Sequence, residues 1–230
     1  MSSDRRLQVW LAGGFVLVVV VITVVAAAIS SNANAVADAH SNFKATQTAA
    51  ITAYDWARGK RDAKVTVIEY GDFQCPACAQ YEPIVQQVEK EYGDRVLFVF
   101  RNFPLTQAHP NAMLGAQAAE AAGAQGKYWQ MHDLLYVKQS EWSLVSASSA
   151  RTDIEGYAQS LGLDMTKFKN DIDSGAVKNK IQNDMTWGTQ ARVDHTPTFF
   201  LNLMQIKNPS GYAEFKSVLD AALASTTTVK

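Results

Sequence analysis

Lys64-Val65-Thr66-Val67-Ile68-Glu69-Tyr70, then Gly71-Asp72-Phe73-Gln74, then Cys75-Pro76-Ala77-Cys78: the chain changes character twice within fifteen residues. The first seven are short and β-branched, which reads as a strand. The next four read as a turn. Pro76 suits the first position of a helix, where the missing N–H costs nothing. Behind it, Tyr81, Ile84, Val85, Val88 and Tyr92 recur at helical spacing. Pro83 falls inside this predicted helix, a costly place for it, and its role is read as geometric. Gly93-Asp94 ends the helix. Arg95 to Arg101 then gives an apolar run suited to a strand buried on both faces. Strand, helix and strand at this spacing form a βαβ unit.

Toward the C-terminus the pattern is helical from about 110 to 192. Trp129, His132, Leu135 and Tyr136 share one side of one segment, and Val177, Ile181, Met185 and Gly188 share one face of another. The aromatics Tyr128, Trp129, Tyr136, Trp142 and Trp187 fit a core at this spacing, with an apolar groove for unfolded chains as the other reading. Thr198 to Leu203 reads as a strand, Met204 to Lys207 as a second short one, and Tyr212 to Leu223 as a closing helix. The order is β-α-β, a helical block, then β-β-α.

Toward the N-terminus, Leu7 to Ile29 carries no charge and is long enough to span a hydrocarbon core. Arg5 and Arg6 precede it and the next basic residue is Lys44. The positive-inside rule therefore puts residues 1–6 in the cytoplasm, residues 7–29 across the lipid bilayer and the rest outside. Ala33-Asn34-Ala35 offers the rival reading of a cleaved signal, although the apolar run exceeds the usual signal length. Residues 30–60 are expected to be a linker. The domain is expected over 61–224, with a helical insertion over about 108–193. Lys+Arg 21 against Asp+Glu 22 leaves a net charge of -1, with no basic excess to recruit nucleic acid.

Cys75 and Cys78 are the only cysteines. A C-x-x-C closes almost no loop, so its value is chemical rather than structural. At a helix N-terminus, unpaired N–H groups and the macrodipole favour a thiolate at Cys75. Cys78, one turn on, can resolve a mixed disulfide formed there. Zinc would need two more ligands, and His40, His109, His132 and His195 show no paired spacing, so no metal is expected.

Glu69 through Cys78, together with Thr196-Pro197-Thr198-Phe199-Phe200, resembles the thioredoxin superfamily, and within it the DsbA-like thiol–disulfide oxidoreductases. The resemblance covers roughly Asp55 to Leu223. It implies an α/β thioredoxin fold with a helical insertion between the βαβ and ββα halves, here preceded by one transmembrane helix. It also implies roles. Cys75 would be the exposed nucleophile and Cys78 the buried resolving cysteine. Pro197 would be a cis-proline, with the Thr196 backbone presented to an incoming chain. Glu69 would be a buried acid serving Cys78. Pro76 and Ala77 would tune the redox poise. His195 stands where such families usually carry Gly, and is open to two readings: a thiolate stabiliser or a solvated loop residue. The Asn202-Leu203-Met204 turn lacks the family's Gly. The implied activity is disulfide oxidation of exported cysteine-containing proteins, with no bound cofactor. A quinone-linked membrane partner, similar to DsbB or the vitamin K epoxide reductase (VKOR) family, would restore the disulfide. The alternatives are an isomerase or reductase, or a non-catalytic binding or metal-carrier module on the same scaffold.

Overall fold

The computed structural model describes residues 47–227. At its centre, β2 (Val65–Gly71) and β3 (Val96–Asn102) run parallel, linked by helix α1 (Pro76–Tyr92). β1 (Trp56–Gly59) pairs antiparallel with β3, β4 (Thr198–Leu201) with β2, and β5 (Met204–Gln205) with β4. The sheet order is β1-β3-β2-β4-β5. Between β3 and β4 lie α2 (Ala112–Gly123), α3 (Tyr128–Val137), α4 (Gln139–Trp142), α5 (Ala147–Ser160), α6 (Met165–Ile172) and α7 (Gly175–Gln190), and α8 (Tyr212–Thr227) closes the domain. Ser146, Asp164 and Ser174 cap α5, α6 and α7 by accepting from Ser149, Lys167 and Val177 N–H. Each cap contributes about 1 kcal/mol.

Residues alternate sides along a strand, so the two central strands give the sheet two different faces. Val65, Val67, Val96 and Phe98 pack against Val85, Val88 and Tyr92 of α1 and Phe215 and Leu219 of α8. Ile68, Tyr70, Leu97 and Val99 point the other way, toward Phe200, Ala191 and Val193. Glu69 therefore lies on the α1 side and Arg101 on the opposite side. A third cluster fills the helical insertion and reaches Phe73, Cys75 and Cys78.

Two expectations need correction. The segment assigned to a linker over 30–60 is folded from Gln47 onward: Gln47 bridges Met204, Thr48 N–H donates to Leu203 O, and β1 covers the edge of β3. The cause is Arg101, whose side chain is fully buried with Asp55. Its guanidinium also donates to the carbonyls of Ala49 and Ala50, to Thr48 Oγ1 and to Tyr70 Oη. Trp142, Tyr128 and Tyr136 are buried in the insertion's core, as their helical spacing predicts. Second, the strand expected to end at Leu203 ends at Leu201, and β5 is only two residues long. Asn202 and Leu203 take φ 48° and 71° between them, the left-handed pair of a tight hairpin. Leu203 does so without glycine's freedom. Asn202 compensates by exchanging bonds with the Thr66 backbone, through its own N–H and Oδ1.

No helix among the described residues is long and apolar enough to cross a membrane. The span expected over Leu7 to Ile29 lies outside the described residues.

Candidate active site

Cys75 is the N-cap of α1, with Pro76 in the first turn. Its N–H donates to Asp72 O and its carbonyl accepts from Ala79 N–H. The turn beneath is tied down by buried polar side chains. Asp72 Oδ1 accepts from Gln74 N–H, and its Oδ2 accepts from Leu105 N–H and lies 2.7 Å from His109 Nδ1. Gln139 donates to the carbonyls of Phe73 and Cys75. Gln74 joins Asn111 to Ser143 O. Gly71 precedes this turn because a Cβ there would fall 2.4 Å from the Phe100 ring.

Both cysteines are free thiols. Cys75 keeps 7% of its surface exposed and Cys78 1%. The expected exposed nucleophile is thus largely covered, because the Thr196–Pro197 loop lies against it: Cys75 Sγ donates to Thr196 O at 3.3 Å. The Thr196–Pro197 bond is cis. Thr198 Oγ1 holds His195 O, and Asn208 Nδ2 holds Pro197 O.

The two thiols differ in acidity. The Cys78 thiol donates toward Cys75, and with help from Thr196 and the Cys78 and Ala77 N–H groups it lowers Cys75 to about 5 against the cost of burial. The Thr196 hydroxyl is buried without a hydrogen-bond partner, so it can turn to a thiolate while the Thr196 carbonyl favours the thiol. Burial pushes Cys78 well up, and Glu69 and Cys75 add to that. His195 takes no part in this: its ring is half exposed and its Nδ1 sits 2.6 Å from Asp194. Of its two readings, the solvated one describes its place.

Glu69 is buried on the α1 side of β2, paired across to Phe100 and Phe199. No described side chain hydrogen-bonds its carboxyl, and burial, then the charges of Glu82, Glu89 and Cys75, push it well above the usual carboxylate range. Glu82 and Glu89, which sequence reasoning missed, extend this acid patch along α1. Burial raises Glu82 to about 8, and it raises Glu89 although Arg58 bonds it at 2.9 Å. The signal was present in the spacing: Cys78, Glu82, Val85, Glu89 and Tyr92 form one helical stripe. Glu82, His132 and Asp133 place possible ligand atoms within 4.8 Å of one another. Arg58 already holds both Asp133 oxygens, at 2.6 and 2.7 Å, so a cation there would face a guanidinium.

Cys75, Cys78, Thr196, Pro197 and Glu69 are thus brought together, with Pro76 and Ala77 in the first turn of α1 and His195 turned away. Residues 51–221 match the family model described as Thioredoxin. The chain belongs to the thioredoxin family. Its fold is also that of DsbA-like solved structures. BdbD from Bacillus subtilis superposes with a TM-score of 0.68 at 25% identity, over 80% of this chain and 99% of that one. An α-DsbA1 from Wolbachia pipientis gives 0.68 at 19% identity, over 77% and 94%. Among curated proteins, this thioredoxin-family chain is 38% identical over 172 residues to a Na(+)/H(+) antiporter NhaA 1 of Salinispora arenicola, covering 75% of this chain and 25% of that protein. An NhaA 1 of Mycolicibacterium gilvum is 35% identical over 171 residues, covering 73% and 26%. The chain spans about a quarter of the length of these relatives, and the transport in their names is said of them.

Proposed function

We propose that this thioredoxin-family chain is a thiol–disulfide oxidoreductase that inserts disulfides into exported proteins. The observation that carries the reading is the split between two thiols one helical turn apart: Cys75 lowered to about 5, Cys78 pushed well up. A thiol that ionises readily attacks, and leaves, as thiolate at neutral pH. The value lies between about 7 for thioredoxin and about 3.5 for DsbA. A stabilised thiolate favours the reduced protein and so makes its disulfide oxidising.

In the oxidising direction a substrate thiolate attacks Cys75 Sγ of the Cys75–Cys78 disulfide. The S–S bond breaks, a mixed disulfide forms, and Cys78 departs with the electron pair and takes a proton from Glu69. The substrate's second thiolate then attacks its own sulfur in the mixed disulfide, and Cys75 leaves as thiolate. Two electrons pass to the protein and the substrate gains one disulfide. Thr196, beside Cys75 and preceding β4, offers backbone against which an extended substrate can pair. The quinone-linked oxidant, the extracytoplasmic location and the bilayer anchor over residues 7–29 belong to this proposal on sequence grounds alone.

Equilibration of the chain against glutathione tests the direction. A potential near about -120 mV supports the oxidase, and one near about -270 mV would make it a reductase. Replacing Cys75→Ser should abolish turnover, and Cys78→Ser should trap mixed disulfides. Turnover that survives Cys75→Ser would leave only a binding module.

A further inference from the structure

The proton that Glu69 exchanges with Cys78 needs a route to water, because both groups are buried. The described residues contain a narrow cavity lined by Glu69, Glu89, His132, Val67, Val85 and Trp129, among others. Its room for a water's centre is about 10 Å³, close to the minimum for one molecule. A water also needs two to four polar partners, and Glu69, Glu89 and His132 are the ionisable residues among those that line the cavity. Glu69 is 6% exposed, and no side chain among the described residues hydrogen-bonds its carboxyl. Beyond the cavity the polar groups lead outward. Glu89 bonds Arg58, and Arg58 bonds Asp133. The side chains open progressively, from 13% exposure at Glu89 to 23% at Arg58 and 37% at Asp133.

We propose that this water-sized cavity and Glu89 form the path by which the proton exchanged between Cys78 and Glu69 reaches solvent, emerging beside Arg58 and Asp133. The inference rests on the oxidoreductase reading. Glu89 lies fourteen residues beyond Cys75 in the sequence, so the outlet is about 20 Å along the helix axis from the nucleophile. Substrate bound over Cys75 would leave it open.

Several other ionisable groups surround Glu69. Glu82, Tyr81 and the two cysteines, from α1 and its start, and Tyr128 and Tyr136, from α3, act on it electrostatically, and His132 of α3 lines the cavity with it. Burial holds His132 neutral, and its Nδ1 lies 2.9 Å from Asp133. Glu82 keeps its proton to about pH 8, bonded to Gln86. Glu89, held to Arg58 at the cavity's outer end, remains as the carrier in contact with both water and solvent-facing charge.

The test uses the full reduced chain and oxidised glutathione. Cys75 thiolate first attacks glutathione disulfide, forming a Cys75–glutathione bond and releasing one glutathione thiolate. Cys78 then attacks Cys75 Sγ, the Cys75–Cys78 bond forms, the second glutathione leaves as thiolate, and the Cys78 proton passes to the Glu69 carboxylate, which has first released its own proton to solvent. At saturating glutathione disulfide the second step sets the rate, and at low concentration the first step does and serves as the internal reference. Glu89→Gln should slow the second step about tenfold, with an increased solvent deuterium isotope effect and a flattened pH profile. Val67→Ile fills the cavity, leaves every ionisable group in place and should do the same. If Glu69→Gln slows the second step while Glu89→Gln and Val67→Ile leave its rate and isotope effect unchanged, the path is wrong and the reaction stands. If the unaltered chain forms no bond to glutathione, the oxidoreductase reading itself fails.

Discussion

Tyr70 and Arg101 face each other across β2 and β3, and one residue earlier Glu69 faces Phe100. The two pairs lie on opposite sides of the sheet, and their buried charges are handled in opposite ways. Arg101 is surrounded: Asp55 bonds it twice, at 2.8 and 3.1 Å, and Trp187 lies beneath its guanidinium. Among the described residues Glu69 faces no cation, only further acids. A satisfied buried ion pair is tied to structure, because neither partner can change charge cheaply. An unsatisfied buried acid is kept neutral by its surroundings and is poised to give a proton when a thiolate forms beside it. One face of the sheet organises the chain, and on the proposed function the other serves the cysteines.

The comparison can be broken most severely at Arg101. Arg101→Gln leaves Asp55 buried and unpaired, and should cost about 3–5 kcal/mol in denaturant unfolding, with the Cys75 thiolate absorbance unchanged. The converse change, Glu69→Gln, should leave stability near neutral pH intact. It should slow the Cys78 step by about a hundredfold, read by quenched single-turnover exchange. A loss of stability comparable to that of Arg101→Gln would show that Glu69 is a structural group too.

Glu82 sharpens the contrast through pH. Its folded value, about 8, lies above the ordinary 4.5. The stability tied to its neutral form is complete below about pH 4.5 and is lost as pH rises through 8. Glu82→Gln should therefore stabilise at pH 9 and be nearly neutral at pH 4.5, measured by urea midpoints across that range. Cys75 runs the other way. Lowered from 9.0 to about 5, its thiolate stabilises the reduced fold above pH 9, and that contribution is lost as pH falls through 5. The smallest effect is expected on the satisfied face. Tyr70→Phe removes one hydroxyl shared by Thr48 and Arg101 and should cost about 1 kcal/mol by the same urea measurement.

The parts legible in the sequence are those whose signal is local. A β-branched run, a turn and a proline at a helix start mark β2 and α1 without reference to anything distant. β1 has no such signal. Trp56-Ala57-Arg58-Gly59 is a strand because the edge of β3 accepts it. The charged core is the larger omission. The burial of Arg101 and Asp184 depends on partners far along the chain, which no local pattern shows. Arg101 meets Asp55 across 46 positions, and Asp184 meets Asn102 across 82. His195 stands open to two readings in the sequence, a thiolate stabiliser or a solvated loop residue, and its half-exposed ring beside the Asp194 carboxylate fits the second.

Arg101 also bears load. The chain enters the domain along β5, where Gln47 bridges Met204 and Thr48 bonds Leu203, and Arg101 then ties down the next two carbonyls. A pull on the chain ahead of Gln47 would peel the β5 bonds first, then meet the guanidinium clasp, and only afterward reach the central strands. Cys75 sits at the start of α1, outside that line of force, so tugging at the entry would leave the thiols in register.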